Sequence, residues 1–318
     1  MHLNPADNKA VVVRFTRAVD RLLLDGENRI LLAVSGGPDS LAMLLLANAA
    51  LPGKFAAASV DHGLRPESAD EARFVANLCE TLHVEHITLT PDQPITGNIQ
   101  SAARAARYAL LEQAAERLRC DVIATAHHQD DQLETLLMRI ARGSGIDGLA
   151  AIRERNGRII RPLLTFSKAE LEQICADANI TPVRDPSNDD SEFDRVAMRQ
   201  YLAAWPNPFD AARAARTSAA MADAAVALDW MTSELAVNRI MHNAGSVELR
   251  HAGLPLEMQR RLVLRSLRLI DPDMAPRGSA LDRLLEDLQG LKTVTLGDIL
   301  CKGGPVWHFS AAPPRHSI

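Results

Sequence analysis

The string Ala33-Val34-Ser35-Gly36-Gly37-Pro38-Asp39-Ser40 constrains the fold of this chain more than any other. The short apolar run Ile30–Val34 leads into it, and Asp39–Ala50, with helical character, leads out. That order reads as a buried strand entering a glycine turn that opens a helix. Glycines let the backbone approach a phosphate closely, and a helix N-terminus offers unpaired N–H groups to an anion. Ser35 and Ser40 add hydroxyl donors. Asp39 would repel a bare phosphate, but it fits a site that also holds Mg²⁺, whose hard oxygen ligands are shared with phosphates. An ordinary turn with Pro38 in the first helical position and Asp39 as a first-turn acid explains part of the string. The complete Ser-Gly-Gly-x-Asp-Ser pattern in this context weighs for phosphate. No Gly-Lys-Ser/Thr follows, so it is not a Walker loop.

The same alternation continues along the chain. Phe55–Val60, Val84–Leu89 and Val122–Ala126 read as strands. Helical spacing runs through 9–25, Glu67–Leu82, Asn98–Leu118 and Gln129–Arg142. Repeated strand–helix units of this length predict an α/β fold, a doubly wound parallel sheet with helices on both faces. Ligands of such sheets sit beyond the carboxyl ends of the strands.

The pattern changes near Pro206-Asn207-Pro208. Ala211–Asn238, Leu256–Ile270 and Leu281–Leu288 are amphipathic stretches, and Thr293–Phe309 holds short β-prone pieces broken by Gly303-Gly304-Pro305. We therefore expect a catalytic domain over 1–208 and a smaller, mostly helical domain over 209–318. A chain of 318 residues with 47% apolar content can bury a core for each. Only 4% of residues are aromatic, which disfavours a stacking surface for long single-stranded nucleic acid. The net charge of -5 means that a nucleic-acid partner would dock on a local basic patch. Cys79, Cys120, Cys175 and Cys301 form no Cys-x-x-Cys pair and read as buried thiols of a reducing compartment. Met1–Ala10 lacks signal-peptide character, and Leu41–Leu51 is too short to span a bilayer, which needs about 20 residues. A soluble cytoplasmic protein, not engaged with membrane, is the expectation; a homodimer is compatible with the sequence but not specified by it.

Several further strings follow in order: Val60-Asp61-His62-Gly63-Leu64-Arg65, Gly97-Asn98, Ala103-Arg104-Ala105-Ala106-Arg107-Tyr108, Thr125-Ala126-His127-His128-Gln129-Asp130-Asp131-Gln132-Leu133-Glu134-Thr135, Arg142-Gly143-Ser144-Gly145, Arg161-Pro162-Leu163-Leu164 and Asp185-Pro186-Ser187-Asn188. By itself the His-His-x-Asp-Asp cluster suits zinc as well as a cationic substrate. Residues 35–40 resemble the PP-loop of the ATP pyrophosphatases. The whole set, over residues 30–200, closely resembles the tRNA(Ile)-lysidine synthetase family within them. One departure is Val196 after Arg195, where that family usually has Asn; Arg199 stands at the expected place.

This resemblance implies a two-step reaction on the wobble cytidine, position 34, of the CAU-anticodon isoleucine tRNA. The C2 oxygen attacks the α phosphate of ATP and pyrophosphate leaves; the ε-amine of free L-lysine then attacks C2 and expels AMP. Lysidine pairs with A instead of G, which changes decoding to AUA and charging to isoleucine. ATP and Mg²⁺ are the implied cofactors. Ser35, Gly36, Gly37, Pro38, Asp39 and Ser40 would bind ATP with Asp61 and His62, and Asp39 would hold the metal. Asp131 and Glu134 would bind lysine. Asp39, Arg107, His127 and Asp131 are the expected catalytic set, with His127 or Asp131 accepting a proton from the amine. His127, Asp131 and Glu134 share one face if the helix already begins at His127. Arg107 suits ATP phosphates or the adenylated base, and Arg104 less so.

Arg142, Arg199, Arg261 and Arg265 are the expected tRNA contacts. Arg142 lies in a stretch, 139–161, with six arginines against two acids, and Arg261, Arg265 and Arg268 recur on one helical face. A tRNA thiolase would need paired cysteines, and a glutamine-dependent amidotransferase would need a further domain. A silent nucleotide-binding relative would have no reason to keep Asp39, Asp131 and Glu134.

Overall fold

The computed structural model describes residues 9–61, 63, 67–91, 99–183, 194–204 and 208–313. His62, Gly97-Asn98, Asp185–Asn188, the side chain of Val196 and Pro206-Asn207 lie outside the described set. The chain divides into two compact units, Met1–Ala220 and Met221–Ile318.

The first unit runs α1 (Lys9–Leu22), β1 (Ile30–Ala33), α2 (Pro38–Ala50), β2 (Phe55–Val60), α3 (Glu67–Thr81), β3 (His86–Leu89), α4 (Ile99–Arg117), β4 (Val122–Ala124), α5 (Gln129–Ala141), α6 (Ile146–Leu149), β5 (Arg155–Asn156), β6 (Ile159–Ile160), α7 (Lys168–Asp177) and α8 (Asp194–Ala204). Its sheet has the order β3-β2-β1-β4-β6-β5. All neighbours are parallel except β5 against β6. Ile30 of β1 is in register with both Phe55 of β2 and Val122 of β4. From β1 the chain winds outward to β2 and β3, then returns to β4 on the other side of β1. The topological switch point therefore lies between β1 and β4, and ligands of such sheets bind beyond the carboxyl ends at that point.

β1 is buried along its whole length, as expected of a central parallel strand covered on both faces. The two-residue period sorts its side chains. Ile30 and Leu32 join Phe55, Ala57, Val122 and Ala124 under α1, α2 and α7. Leu31 and Ala33 join Ala56, Ala58 and Ile123 under Leu111, Ala114 and Ala115 of α4. Ala56, Ala57 and Ala58 fill the middle of β2, all of them buried. α2 is buried from Ser40 to Ala47, so it is packed on nearly every side. Truncating Leu44 to alanine there would cost about 2–5 kcal/mol. This packing fixes the helix whose N-terminus forms the glycine turn.

The helix α9 (Ala211–Arg239) runs through the division between the units. The second unit continues with β7 (Ile240–Asn243), β8 (Ser246–Leu249), α10 (Leu256–Arg268), α11 (Gly278–Gln289), β9 (Thr293–Leu296), β10 (Ile299–Lys302) and β11 (Trp307–Ala311). Its strands form an antiparallel sheet, order β7-β8-β11-β10-β9. Val247, Leu249, Ile299, Cys301, Trp307 and Phe309 alternate onto one face and share a core with Leu262, Leu267, Leu284 and Leu288 of α10 and α11. The helices stand where periodicity predicts them; the sheet is larger than the β-prone tail suggests. It gains β7 and β8, which escape a sequence reading because β7 is mostly exposed and follows α9 with no Gly or Pro between.

Candidate active site

The glycine turn is held by its own serines. The Ser35 N–H donates to Ser40 Oγ at 3.1 Å, and the Ser40 hydroxyl donates to the Gly37 carbonyl at 3.0 Å. The two hydroxyl oxygens lie 3.3 Å apart. Gly36 adopts φ +85, a conformation an L side chain rarely takes, and its carbonyl accepts from the Val183 N–H at 3.0 Å. Gly37 is the N-cap of α2, with ordinary extended dihedrals and no side-chain cap. The first-turn N–H groups of α2 are thus not satisfied by a cap side chain. Asp39 stands among them, and its Oδ1 is buried with no hydrogen-bond partner.

Across the switch point, β4 delivers the second string. The helix begins at Gln129, with His128 as its N-cap, so His127 precedes the helix and does not share its face with Asp131 and Glu134. The condition set for that shared face is not met. His127 Nδ1 lies 3.0 Å from Thr125 Oγ1. Asp131 accepts from the His128 backbone N–H at 3.0 Å, which fixes the helix start. His128 itself is buried, with Nε2 3.5 Å from both Asp39 Oδ2 and Asp131 Oδ2. Its Nδ1 lies 3.4 Å from Asp130 Oδ2, an ion-pair contact without hydrogen-bond alignment. Burial opposes a charge on this ring, but the carboxylates of Asp130, Asp39 and Asp131 outweigh it and push His128 up to about 10. The three carboxylates thus favour the charged form of the His128 ring.

Glu134 is almost fully buried on α5 and is gripped at both oxygens by Arg199 of α8: Nε to Oε1 at 2.8 Å and Nη2 to Oε2 at 3.2 Å. The geometry places two expected roles, lysine binding and tRNA binding, in one ion pair. The hydrogen bond from Arg199 to Glu134 holds the guanidinium above its ordinary value, against burial, with Asp131 and Asp39 adding to the effect.

On α4, Arg104 donates to the Tyr108 hydroxyl at 3.3 Å and lies over its ring. Burial draws Arg107 below its ordinary value; Tyr108 acts against this and Arg104 with it. Among the described residues Arg107 has no hydrogen-bond or ion-pair partner. Asp61, after β2, accepts from Gly63 N–H at 2.9 Å and from the Ser68 hydroxyl at 2.5 Å, which ties the turn into α3.

The basic stretches look different in three dimensions. Arg153 meets Asp147 at 3.7 Å, Arg155 meets Glu27 at 2.6 Å and Arg158 meets Glu112 at 2.8 Å. Arg161 is buried and donates to the Arg153 carbonyl at 2.6 Å. Arg139 and Arg142 are the exposed members. Two of the four excess charges counted along the sequence are thus paired with acids from distant segments, Glu27 and Glu112. In the second unit Arg261 pairs with Asp229 at 2.5 Å and Glu257 at 2.9 Å, and its side chain is only 10% exposed. Arg265 donates to Ser233 Oγ at 3.1 Å, and Arg268 to the Met274 carbonyl at 3.1 Å. This face is knit to its own unit, and Arg261 presents little to a phosphate.

Sequence reasoning passed over His128 and Asp130 as individuals, although both lie inside the quoted string. It also missed Gln132, whose amide exchanges two hydrogen bonds of 2.8 Å with the backbone of Ile152 and pins the segment after α6. Among the described residues no trio of His, Cys, Asp or Glu is arranged to hold a metal by protein ligands alone. The four cysteines are buried, and burial pushes Cys79, Cys175 and Cys301 up to about 12.

Residues 8–204 match the PP-loop domain family. The tRNA(Ile)-lysidine synthase of Zymomonas mobilis is 44% identical over 295 residues, covering 89% of this chain and 88% of that protein. The tRNA(Ile)-lysidine synthase of Novosphingobium aromaticivorans is 40% identical over 304 residues, covering 92% of each. Among solved structures, the U34-tRNA thiolase from Methanococcus maripaludis, with its iron–sulfur cluster, aligns with a TM-score of 0.50 at 19% identity, covering 64% of this chain and 77% of that one; this likeness concerns the fold alone. With the glycine turn and the acidic helix start facing each other across the switch point, and with identity sustained along both units, the chain belongs to the tRNA(Ile)-lysidine synthase family of PP-loop proteins.

Proposed function

We propose that this chain ligates lysine to C2 of the wobble cytidine, position 34, of the CAU-anticodon isoleucine tRNA, at the expense of ATP. The observation that carries the reading is the meeting of the α2 and α5 N-termini across the switch point. It sets an uncapped helix N-terminus, suited to pyrophosphate, beside a cluster of carboxylates suited to an ammonium group. The relatives' names supply the substrate.

In the first step the C2 oxygen attacks the α phosphate and pyrophosphate departs. The α2 N–H groups receive the departing phosphates, and Arg107 suits the charge building on the α phosphate. The site fits Mg²⁺ through the unpartnered, buried Asp39 Oδ1, a hard oxygen beside the phosphate loop. Bound there, Mg²⁺ would offset the charge on pyrophosphate. In the second step the lysine ε-amine attacks C2 and AMP leaves. Asp131 and Glu134 hold the ammonium groups, and His127 takes the proton that the amine sheds. The second unit, with Arg142 and α8 of the first, is assigned to holding tRNA. Lysidine synthesis places the chain in the cytoplasm with its tRNA; no helix among the described residues is long and apolar enough to cross a membrane.

The test is incubation with ATP, labelled lysine and total tRNA, followed by recovery of label in isoleucine tRNA. Label from arginine, ornithine or ammonia, with none from lysine, would overturn the substrate.

A further inference from the structure

Glu134 is the most deeply buried carboxylate of the site, and a cation of the chain itself already holds it. Arg199 covers both carboxylate oxygens in a fork. Its guanidinium also lies within the field of Asp131 and Asp39, inside the pocket that the preceding reading gives to the lysine ammonium. We propose that Arg199 is a tethered stand-in for the substrate cation, occupying Glu134 until free lysine displaces it and thereby setting how tightly lysine is held. This inference rests on lysine being the substrate and on Glu134 being one of its ligands.

The physical argument has two parts. A carboxylate buried this deeply is costly when unpaired, so an internal cation keeps Glu134 compensated before substrate reaches it. The same pairing makes every incoming ammonium compete with a bidentate partner held at effectively high local concentration. Displacement needs no unfolding. Leu202 packs α8 onto Leu133 and Leu136 of α5, so the helix stays docked while the Arg199 side chain, 37% exposed, turns outward. Once released, its fork suits a phosphate. Lysine entry then frees a tRNA-directed cation on the same helix.

The experiment measures the lysine KM and kcat in tRNA labelling, and lysine binding to the ATP-loaded protein by calorimetry, for the wild type, Arg199→Ala, Arg199→Gln and Arg199→Ala/Glu134→Gln. The stand-in predicts that Arg199→Ala tightens lysine binding roughly tenfold or more, the release of one charge-assisted pairing from competition. Arg199→Gln, which keeps a neutral donor beside Glu134, falls between wild type and alanine and covers the case in which the alanine variant fails to fold. Adding Glu134→Gln abolishes the gain. Weaker lysine binding in both single variants would mean that Arg199 positions Glu134 for substrate, and the proposal falls. Unchanged lysine binding with a raised tRNA KM would make Arg199 a plain tRNA contact, which also overturns it. A wild type that never labels tRNA with lysine overturns the function itself; a wild type that does, beside variants with no gain, overturns only the stand-in.

Discussion

Gly36 and Gly37 are adjacent, yet the structure gives them separate reasons to be glycine, and alanine at each position tells them apart. Gly36 sits at φ +85, and its missing Cβ would meet Val183 and Val75 at an ordinary 3.6 Å. Gly36→Ala therefore suffers backbone strain but no clash. A left-handed residue costs roughly 1–2 kcal/mol, equivalent to about 2–4 °C in Tm per kcal/mol for a unit this size. Gly37 has φ -74 and ψ 163, which any residue adopts, and a Cβ there would find only Ser35 Oγ at 3.8 Å. Alanine loses a few tenths of a kcal/mol of N-cap preference and regains about as much from a stiffer unfolded chain. Gly37→Ala should therefore leave Tm within about 1–2 °C of wild type, since exposed substitutions without such defects stay within about ±0.5 kcal/mol. Its effect belongs to the ligand. A methyl group at the mouth of α2 stands where phosphate oxygens must approach the N–H groups. Losing one charge-assisted hydrogen bond, about 1.5–3 kcal/mol, raises the ATP KM roughly 10- to 150-fold. Differential scanning calorimetry and tRNA-dependent pyrophosphate release measure the two effects. A Gly37→Ala variant with normal stability and an unchanged ATP KM would refute the phosphate role and leave an ordinary strand-to-helix turn.

Asp39→Ala is expected to abolish tRNA-dependent AMP formation while the protein stays folded; persistent pyrophosphate release at saturating Mg²⁺ would reduce Asp39 to a helix-start acid. His128 is raised from 6.5 to about 10, so its charge contributes stability that is complete below pH 6.5 and is lost as pH rises toward about 10. The wild-type Tm should fall across that window and His128→Gln should show a flatter profile; parallel profiles would mean that the ring is neutral when folded. Arg261→Ala should destabilise the second unit by roughly 1 kcal/mol, since its partners Asp229 and Glu257 are partly exposed. It should leave the salt dependence of tRNA binding unchanged, whereas a log–log slope reduced by about 1 would restore Arg261 as a phosphate contact.

The sequence made legible what depends on neighbours in the chain. β1, β2 and the helices α1 to α5 announce themselves through unbroken apolar runs and helical spacing, and the glycine turn is a local string. The elements between Gly143 and Ala204 gave little signal. β5 and β6 are two residues each, too short for any period, and exist because β4 offers β6 a parallel edge. Side-chain partnerships across the fold were hidden for the same reason. Nothing near Arg155 or Arg158 announces Glu27 or Glu112, which halve the basic excess of 139–161 in the folded chain. Glu134 and Arg199 are 65 residues apart and are joined only when α8 docks on α5. His128 is pushed toward its charged form by Asp130 beside it and by Asp39, which the turn after β1 brings from the other side of the switch point.

The three alanines of β2 also set how this domain can vary. A methyl group is the smallest side chain that still forms a wall, so truncation at Ala56, Ala57 or Ala58 has almost nothing to remove. Any larger replacement must push a strand away from its covering helix, because a close-packed interior has no slack to absorb it. α2 is the opposite case, since its leucines have much to lose and little room to grow. A saturation screen would thus show two mirror-image tolerance profiles on neighbouring elements. In β2 the harm would rise with the volume added, and in α2 with the volume taken away. Both would act on ATP turnover indirectly, by shifting the spacing between β1 and its neighbours.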